Sequence, residues 1–566
     1  MCGGEFVTRG RAFVLVLVCS WSAAASQSPA ASPRLVPLAE RLRTRIKLSE
    51  APELLIGDEV ICASAMLPGF YEDRKYRPAW SDRGRLTRQA GELLKTIRNA
   101  ELEGLMPGDY HLGRIESTMM QIHESRQKKM APSPETFVDL DLLLTDAFLV
   151  LGSHMLAGRV NPEAIDSEWH STRREADLVE LLQRAIRTNR VGESLAGLLP
   201  THPGYARMRK ALKFYRSIAE SGGWPVLPDD TELVVGDRSE RVVTLRRRLT
   251  RTLDLEPGDA EDDSLFDGEL DQALRRFQRR HGLRANGLVD AATLRTLNVS
   301  AEERVRQIEL NMERWRWLPQ DLGRQYIILN IASYELDVVE DTRRVITFRA
   351  VVGKPYRSTP IFSSRITSIV FNPSWSIPQK IAAEDILPLI KRDPDYLIRN
   401  KIRVFGGAGP GGEVDPATVD WSRVTASSFG YFLRQDPGLR NALGKMLFRL
   451  PNKYGVYIHD TPSQGLFRRA ERTFSAGCIR LEYPVELAVY LLREDEGWKK
   501  KEILKAIRTG REQTVRLPAP MPVHILYWTA WVDEDGIVQF RKDIYDRDET
   551  LYRALKEPLP GVVGCE

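Results

Sequence analysis

Two stretches decide how the carboxy-terminal half folds: Tyr454 to Pro462 (YGVYIHDTP) and Ser475 to Leu481 (SAGCIRL). Read as strands, their side chains alternate between two faces. Val456 and Ile458 then point into a core, which sends Tyr457 and His459 to the other side. Ile479 and Leu481 likewise point inward and leave Ala476, Cys478 and Arg480 opposite. If the segments lie side by side, a cysteine and a histidine share one exposed face, and that pair supplies a nucleophile and its base. A free thiol titrates near 8.5 and is lowered by a neighbouring imidazolium or guanidinium, here His459 and Arg480. Gly477 permits close backbone approach, so amides around Gly477–Cys478 could face an oxyanion. Taken singly, each residue has a bland reading: a small buried thiol, a structural histidine, an arginine in a salt bridge.

Outward from these stretches the texture is that of a mostly β domain, 324–560. Tyr326 to Leu336, Ile346 to Val352 and Ile366 to Phe371 are short, β-branched and partly alternating, with turn residues Gly353–Lys354–Pro355 between them. Asn372–Pro373–Ser374–Trp375 breaks the pattern and opens a mixed insertion at about 373–450. Its Gly/Pro-rich centre, Phe405 to Pro416, reads as a mobile loop.

Upstream, residues 38–225 read as helical, for example Leu86 to Ala100 and Val138 to Gly158, with apolar residues at helical spacing. Its histidines (His111, His123, His154, His170, His202) have no metal-ligand spacing and read as surface or satisfied core residues. A second unit, 233–300, places Val242, Leu245, Leu249 and Leu253 on one helical face. Leu270, Ala273, Leu274 and Phe277 form another, with Asp267 as N-cap and Gly282 as a left-handed C-terminal cap. Val305 to Trp317 is a further helix. The fold class is thus multidomain α plus β.

A length of 566 residues suits three or four domains, and 42% apolar with 28% charged residues is an ordinary globular balance. Lys+Arg 82 against Asp+Glu 77 leaves +5, without the strong basic bias of a dedicated nucleic-acid binder. Arg9 and Arg11, the apolar run Ala12 to Cys19 and small residues to Ser26 have the order of a secretory signal over 1–25, cleaved after Ala25. That run is too short to span a bilayer, and nothing downstream reads as long and apolar enough to do so. Cleavage leaves Cys62, Cys478 and Cys565, an odd number, so at least one thiol stays unpaired in an oxidising compartment. Cys62 and Cys565 either stay reduced or pair with each other.

The 233–300 unit resembles the peptidoglycan-binding-1 three-helix domain through D-x-x-L-x-x-A-L-x-x-F-Q (Asp267 to Gln278), then His281–Gly282–Leu283 and Asn286–Gly287–Leu288–Val289–Asp290. His459 followed by Ser475–Ala476–Gly477–Cys478–Ile479–Arg480 resembles the YkuD-type L,D-transpeptidase catalytic domain. With Tyr76 to Trp80 (YRPAW) and Gly104 to Tyr110 (GLMPGDY), the chain resembles the large periplasmic L,D-transpeptidases of the YcbB type. It departs from the family's frequent S-H-G-C by having Ala476, which leaves His459 as the sole base.

The resemblance implies a thioester acyl transfer between peptidoglycan stem peptides, donor and acceptor, forming 3→3 cross-links and open to inhibition by carbapenems. By it Cys478 is nucleophile, His459 base, Gly477, Arg480 and Ser475 support the site, and Tyr457 and Trp375 line the substrate cleft under a lid built by the insertion. No metal or organic cofactor is implied, nor any nucleic acid or membrane span after cleavage; the setting is periplasmic and wall-associated. Other readings are a non-catalytic wall-binding scaffold, an L,D-carboxypeptidase, a transpeptidase attaching lipoproteins, and a zinc hydrolase using His459, Asp460 and Cys478. The last lacks a short-spaced pair such as H-E-x-x-H.

Overall fold

The computed structural model describes residues 35–47, 54–170, 174–228, 232–258, 261–407 and 411–559. The expected export signal, Cys565 and the centre of the expected loop at 405–416 lie outside the described residues.

The helical region is organised around one helix, Pro134–Ala157, which starts from the Ser133 side chain accepting the Thr136 amide. By length and composition this helix could cross a membrane, contrary to the sequence expectation; 89% of its apolar window is buried inside the fold, so it serves as a core helix here. Its buried Asp141 accepts the amides of Ala79 and Trp80 at 3.0 and 2.9 Å and the Tyr71 hydroxyl at 2.8 Å, which fixes the YRPAW turn against the core. Burial of so polar a group is tolerated because its lone pairs are satisfied. His111 lies between Glu59 and Asp146 at 2.7 and 2.8 Å, and His154 meets the Tyr110 hydroxyl at 3.0 Å.

The next unit packs helices Glu240–Arg251, Gly268–Arg280 and Ala291–Leu297 around Val242, Leu245, Leu249, Leu270, Leu274 and Phe277, all buried. Asp267 caps the second helix, accepting the Leu270 amide at 2.8 Å. Leu253 departs from the expected apolar face. It lies beyond the end of the first helix, at φ +60°, and is 66% exposed. Helical periodicity places a residue on a face only while the helix continues.

After helix Ala301–Arg316, opened by a Ser300/Glu303 capping box, come strands β1 (Gln325–Asn330), β2 (Glu335–Glu340), β3 (Arg343–Gly353) and β4 (Phe362–Phe371). The insertion contributes β5 (Trp375–Ile377), β6 (Ile402–Gly406), β7 (Glu413–Val414) and β8 (Tyr431–Gln435). The chain then returns through β9 (Met446–Arg449), β10 (Ile458–His459), β11 (Thr473–Ser475), β12 (Ile479–Leu481) and β13 (Gln513–Leu526).

Nine of these strands form one sheet in the order β11-β3-β12-β10-β9-β4-β13-β1-β2, and a further β2–β3 pairing closes it on itself. Its interior holds Ile327, Ile369, Phe448, Ile458, Ile479 and Val523, all fully buried. The insertion folds as a separate sheet, β7-β6-β8-β5, over its own core of Ile377, Leu397, Val404 and Leu433. The stretch read as a loop is therefore framed by a hairpin, with Val404 opposite Val414.

Candidate active site

β10 and β12 run parallel and adjacent, with Ile458 opposite Ile479 and His459 opposite Arg480. The two isoleucines fill the core, so alternation sends Tyr457, His459, Cys478 and Arg480 to the same face. That face is less open than the sequence suggested. His459 is buried and Cys478, Arg480 and Tyr457 are half-buried.

Burial changes the electrostatics. His459 Nδ1 lies 2.6 Å from the Asp460 backbone carbonyl, which can only accept, so Nδ1 carries the proton and Nε2 presents a lone pair. Burial first, and the Arg480 charge second, push the imidazole down to about 3, so it is neutral at physiological pH. The Cys478 thiol goes the other way. Burial pushes it up to about 11, although the Tyr457 amide and the Arg480 guanidinium both pull it down. Neighbouring charges alone predict a lowered thiol; loss of water outweighs both helpers. The resting pair is thiol and neutral imidazole. Cys478 Sγ also points to the Gly455 carbonyl at 3.8 Å.

The loop preceding the thiol is pinned from both sides. Gly477 sits at φ +109°, where only glycine is at ease. Its amide donates to Ser475 Oγ at 3.2 Å, so that N–H is engaged rather than free to face an oxyanion. Its carbonyl accepts from Thr359 Oγ1 at 2.9 Å, and Thr359 Oγ1 in turn accepts the Gly353 amide at 2.9 Å. Tyr545 completes the brace by donating its hydroxyl to the Gly353 carbonyl at 2.6 Å. Among the described residues Arg480 Nε is buried with no hydrogen-bond partner, and the guanidinium charge acts on the Cys478 thiol.

Trp375 and Tyr457 meet each other. Both pack against Val370, Leu443 and Leu447, and Trp375 also packs against the core of the insertion, so it joins the two sheets beside the thiol face. Tyr457 is pushed up to about 12 by burial and then by the nearby Cys478, with Trp375 opposing. Asp460 turns away from its neighbour's ring. Its carboxylate accepts the Lys445 amide at 2.8 Å and Gln464 Nε2 at 3.3 Å, and burial holds it above the usual carboxylate range. Among the described residues no His/Cys/Asp/Glu group has the arrangement of a metal site.

Sequence reasoning missed the support arriving from the helical region. Trp169 forms an isolated parallel bridge with Ile361: Ile361 donates to the Glu168 carbonyl and His170 donates to the Ile361 carbonyl, each at 2.9 Å. The Glu168 carboxylate takes the Ser358 hydroxyl and Arg547 Nη2, the latter at 3.0 Å. The His170 ring stacks on Tyr454 at 4.8 Å. Ser358 and Thr359 lie against Gly477, and Tyr454 precedes Gly455, so one scaffold segment touches both sides of the cysteine loop. A single glutamate in a helical context carries no motif that could have announced this.

Three family models match the chain: a "Scaffold domain" over residues 65–212, a "Putative peptidoglycan binding domain" over 238–297, and an "L,D-transpeptidase catalytic domain", YkuD, over 324–514. The chain carries a YkuD L,D-transpeptidase catalytic domain. A "Putative L,D-transpeptidase" of Haemophilus influenzae is 34% identical over 253 residues, which cover 44% of this chain and 50% of that protein. The "N-acetylmuramoyl-L-alanine amidase CwlM" of Mycobacterium tuberculosis is 40% identical over 80 residues, 13% of this chain and 20% of that protein. The chain thus spans about half the length, or less, of these curated relatives. A crystal structure of an L,D-transpeptidase from Xylanimonas cellulosilytica matches 53% of this chain and 99% of that one at 13% identity, with a TM-score of 0.18. In the YkuD domain, Cys478, His459, Arg480, Gly477 and Ser475 all sit on β10, β11, β12 or the turn between the last two.

Proposed function

We propose that this chain is a cysteine-dependent L,D-transpeptidase that forms 3→3 cross-links between peptidoglycan stem peptides through a thioester. What supports the reading most is the parallel β10–β12 register, which puts Cys478 and His459 on one face of neighbouring strands, inside a domain of that family. The YcbB type, export to the periplasm and a wall-associated setting belong to the same proposal. The peptidoglycan-binding match at 238–297 supports the wall setting.

The steps follow from the resting protonation states. As the donor stem's carbonyl arrives, the Cys478 S–H proton passes to the His459 lone pair and the sulfur bonds to the carbonyl carbon. The Arg480 charge stabilises the thiolate formed in that step. Because the Gly477 amide is held by Ser475, the Cys478 amide is the donor proposed to meet the oxyanion. Collapse breaks the C–N bond to D-Ala, whose amine leaves with the His459 proton. The acceptor stem's amine then attacks the thioester carbon and gives its proton to His459, which returns it to the departing sulfur. Tyr457 and Trp375 line the cleft at the seam with the insertion. A carbapenem would acylate the same sulfur by the first step alone.

The test is muropeptide analysis of cells expressing the wild type or Cys478→Ala, with intact mass after carbapenem treatment. The wild type alone should raise 3→3 dimers and gain one adduct on Cys478. A wild type that gains no adduct and raises no dimers would leave the non-catalytic scaffold as the better reading. Free D-Ala release without dimers would point instead to water as acceptor, an L,D-carboxypeptidase.

A further inference from the structure

A groove of about 940 Å³ lies where three parts of the chain meet: helix Pro203–Glu220, the peptidoglycan-binding unit and the Val532–Gln539 turn of the catalytic region. This is the size range of ligand sites. Its lining carries Arg207, Lys210, Arg276 and Arg279, none of which forms an ion pair among the described residues. Arg280 is neutralised by Asp254 and Glu534 is engaged by Arg344, so among the described lining residues Asp535 is the one acidic side chain left to oppose four cations. The groove is therefore net positive.

Two apolar tips stand in this basic lining. Ile537 is 48% exposed, and Leu253 is 66% exposed at φ +60°. Leu253 occupies the position just past helix Glu240–Arg251 that glycine commonly takes. A bulky residue there is strained, and here it also exposes apolar surface to the groove. Burial does not explain Leu253, since it contributes nothing to the unit's own core.

We propose that this groove is a composite binding subsite for the anionic stem peptide of a peptidoglycan strand, shared by the three domains rather than contained in the peptidoglycan-binding unit. The inference rests on the wall-substrate reading above. Stem peptides carry free carboxylates beside alanine methyls; the cations meet the former, and Leu253 and Ile537 the latter. Arg276 and Arg279 come from one domain, Lys210 from a second and Ile537 from a third, so a bound stem would hold the peptidoglycan-binding unit in its observed place against the catalytic region.

The experiment uses the full chain carrying Cys478→Ala, so that nothing turns over. Binding is measured to uncross-linked glycan strands bearing tetrapeptide stems and to the same strands stripped of stems by an amidase. Stem-bearing strands should bind about tenfold tighter, and the preference should shrink at high salt. Arg276→Glu with Arg279→Glu should remove about tenfold of that affinity. Leu253→Gly is the sharper variant: it relieves the backbone, so the thermal midpoint should hold or rise while affinity falls about fivefold. Equal binding of stripped strands, or parental affinity in folded Leu253→Gly and in the charge reversal, would overturn the proposal. Carbapenem acylation of the chain with Cys478 intact is read separately. Its failure would remove the proposed reaction and leave the measured binding preference in place.

Discussion

Cys62, buried, and Cys478, half-buried, are the free cysteines among the described residues, yet the scaffold and the catalytic sheet surround them with opposite charges. Cys62 is pushed up to about 12 by burial and then by Asp146, Asp109 and Glu59, so every neighbour that acts on it keeps the proton on. Cys478 suffers the same desolvation, but the Tyr457 amide and Arg480 act against it. Burial alone makes a thiol inert in both places. What separates a packing cysteine from a candidate nucleophile is the sign of the groups around it, together with a neutral imidazole on the adjoining strand.

The comparison breaks first on substitution of the two thiols. Cys478→Ala should lower acylation by a carbapenem at least about 10³-fold while Cys62→Ala leaves it intact; equal loss in both would end the distinction. Next comes the base. His459→Ala should cost about 10²–10⁴-fold, and its pH profile carries the diagnosis. With an imidazole near 3 and a thiol near 11, wild-type acylation should be flat from pH 5 to 9, because the reactive protonation state dominates throughout. The variant should instead climb about tenfold per pH unit as thiolate forms. A wild type that climbs in the same way would deny His459 its role.

Arg480→Met probes the charge. Losing the guanidinium should raise the thiol further and slow acylation about tenfold, with Arg480→Lys recovering part of the rate; a rate independent of this side chain would place the favourable field elsewhere. The smallest effect is expected at Glu168→Gln, which loosens Ser358 and Arg547 without touching the thiol. A slowing of about threefold, with little change in thermal midpoint, would mark positioning. An unchanged rate would mean the scaffold contact only holds the domains together.

The sequence made the face of β10 and β12 legible because strand alternation needs only Val456, Ile458, Ile479 and Leu481 to be assigned. The same logic located the Asp267 cap and the core of the three-helix unit. It failed wherever a tertiary contact or a chain end decided the outcome. Leu253 fits the helical period, but the helix stops before it. His459 reads as exposed from its own strand, yet neighbouring elements bury it and remove its charge. The engaged Gly477 amide could not be read at all, since Ser475 and Gly477 are close in sequence whether or not that bond forms. Glu168 stands 190 residues from Ser358, and no local pattern links them.

That last separation has a consequence for how the molecule comes into being. The helical region is synthesised first, and its segment at 168–170 must wait for Ile361 before its bridge can form. The catalytic sheet, in turn, receives just before β4 a bridge partner from the helical region. A catalytic region expressed without the preceding helices would therefore lack the Glu168 and His170 backbone partners of Ile361 and the Glu168 anchor of Ser358, and its Gly477 turn would loosen. Grafting it behind another scaffold would succeed only if the new partner brought its own equivalent of that short extended segment.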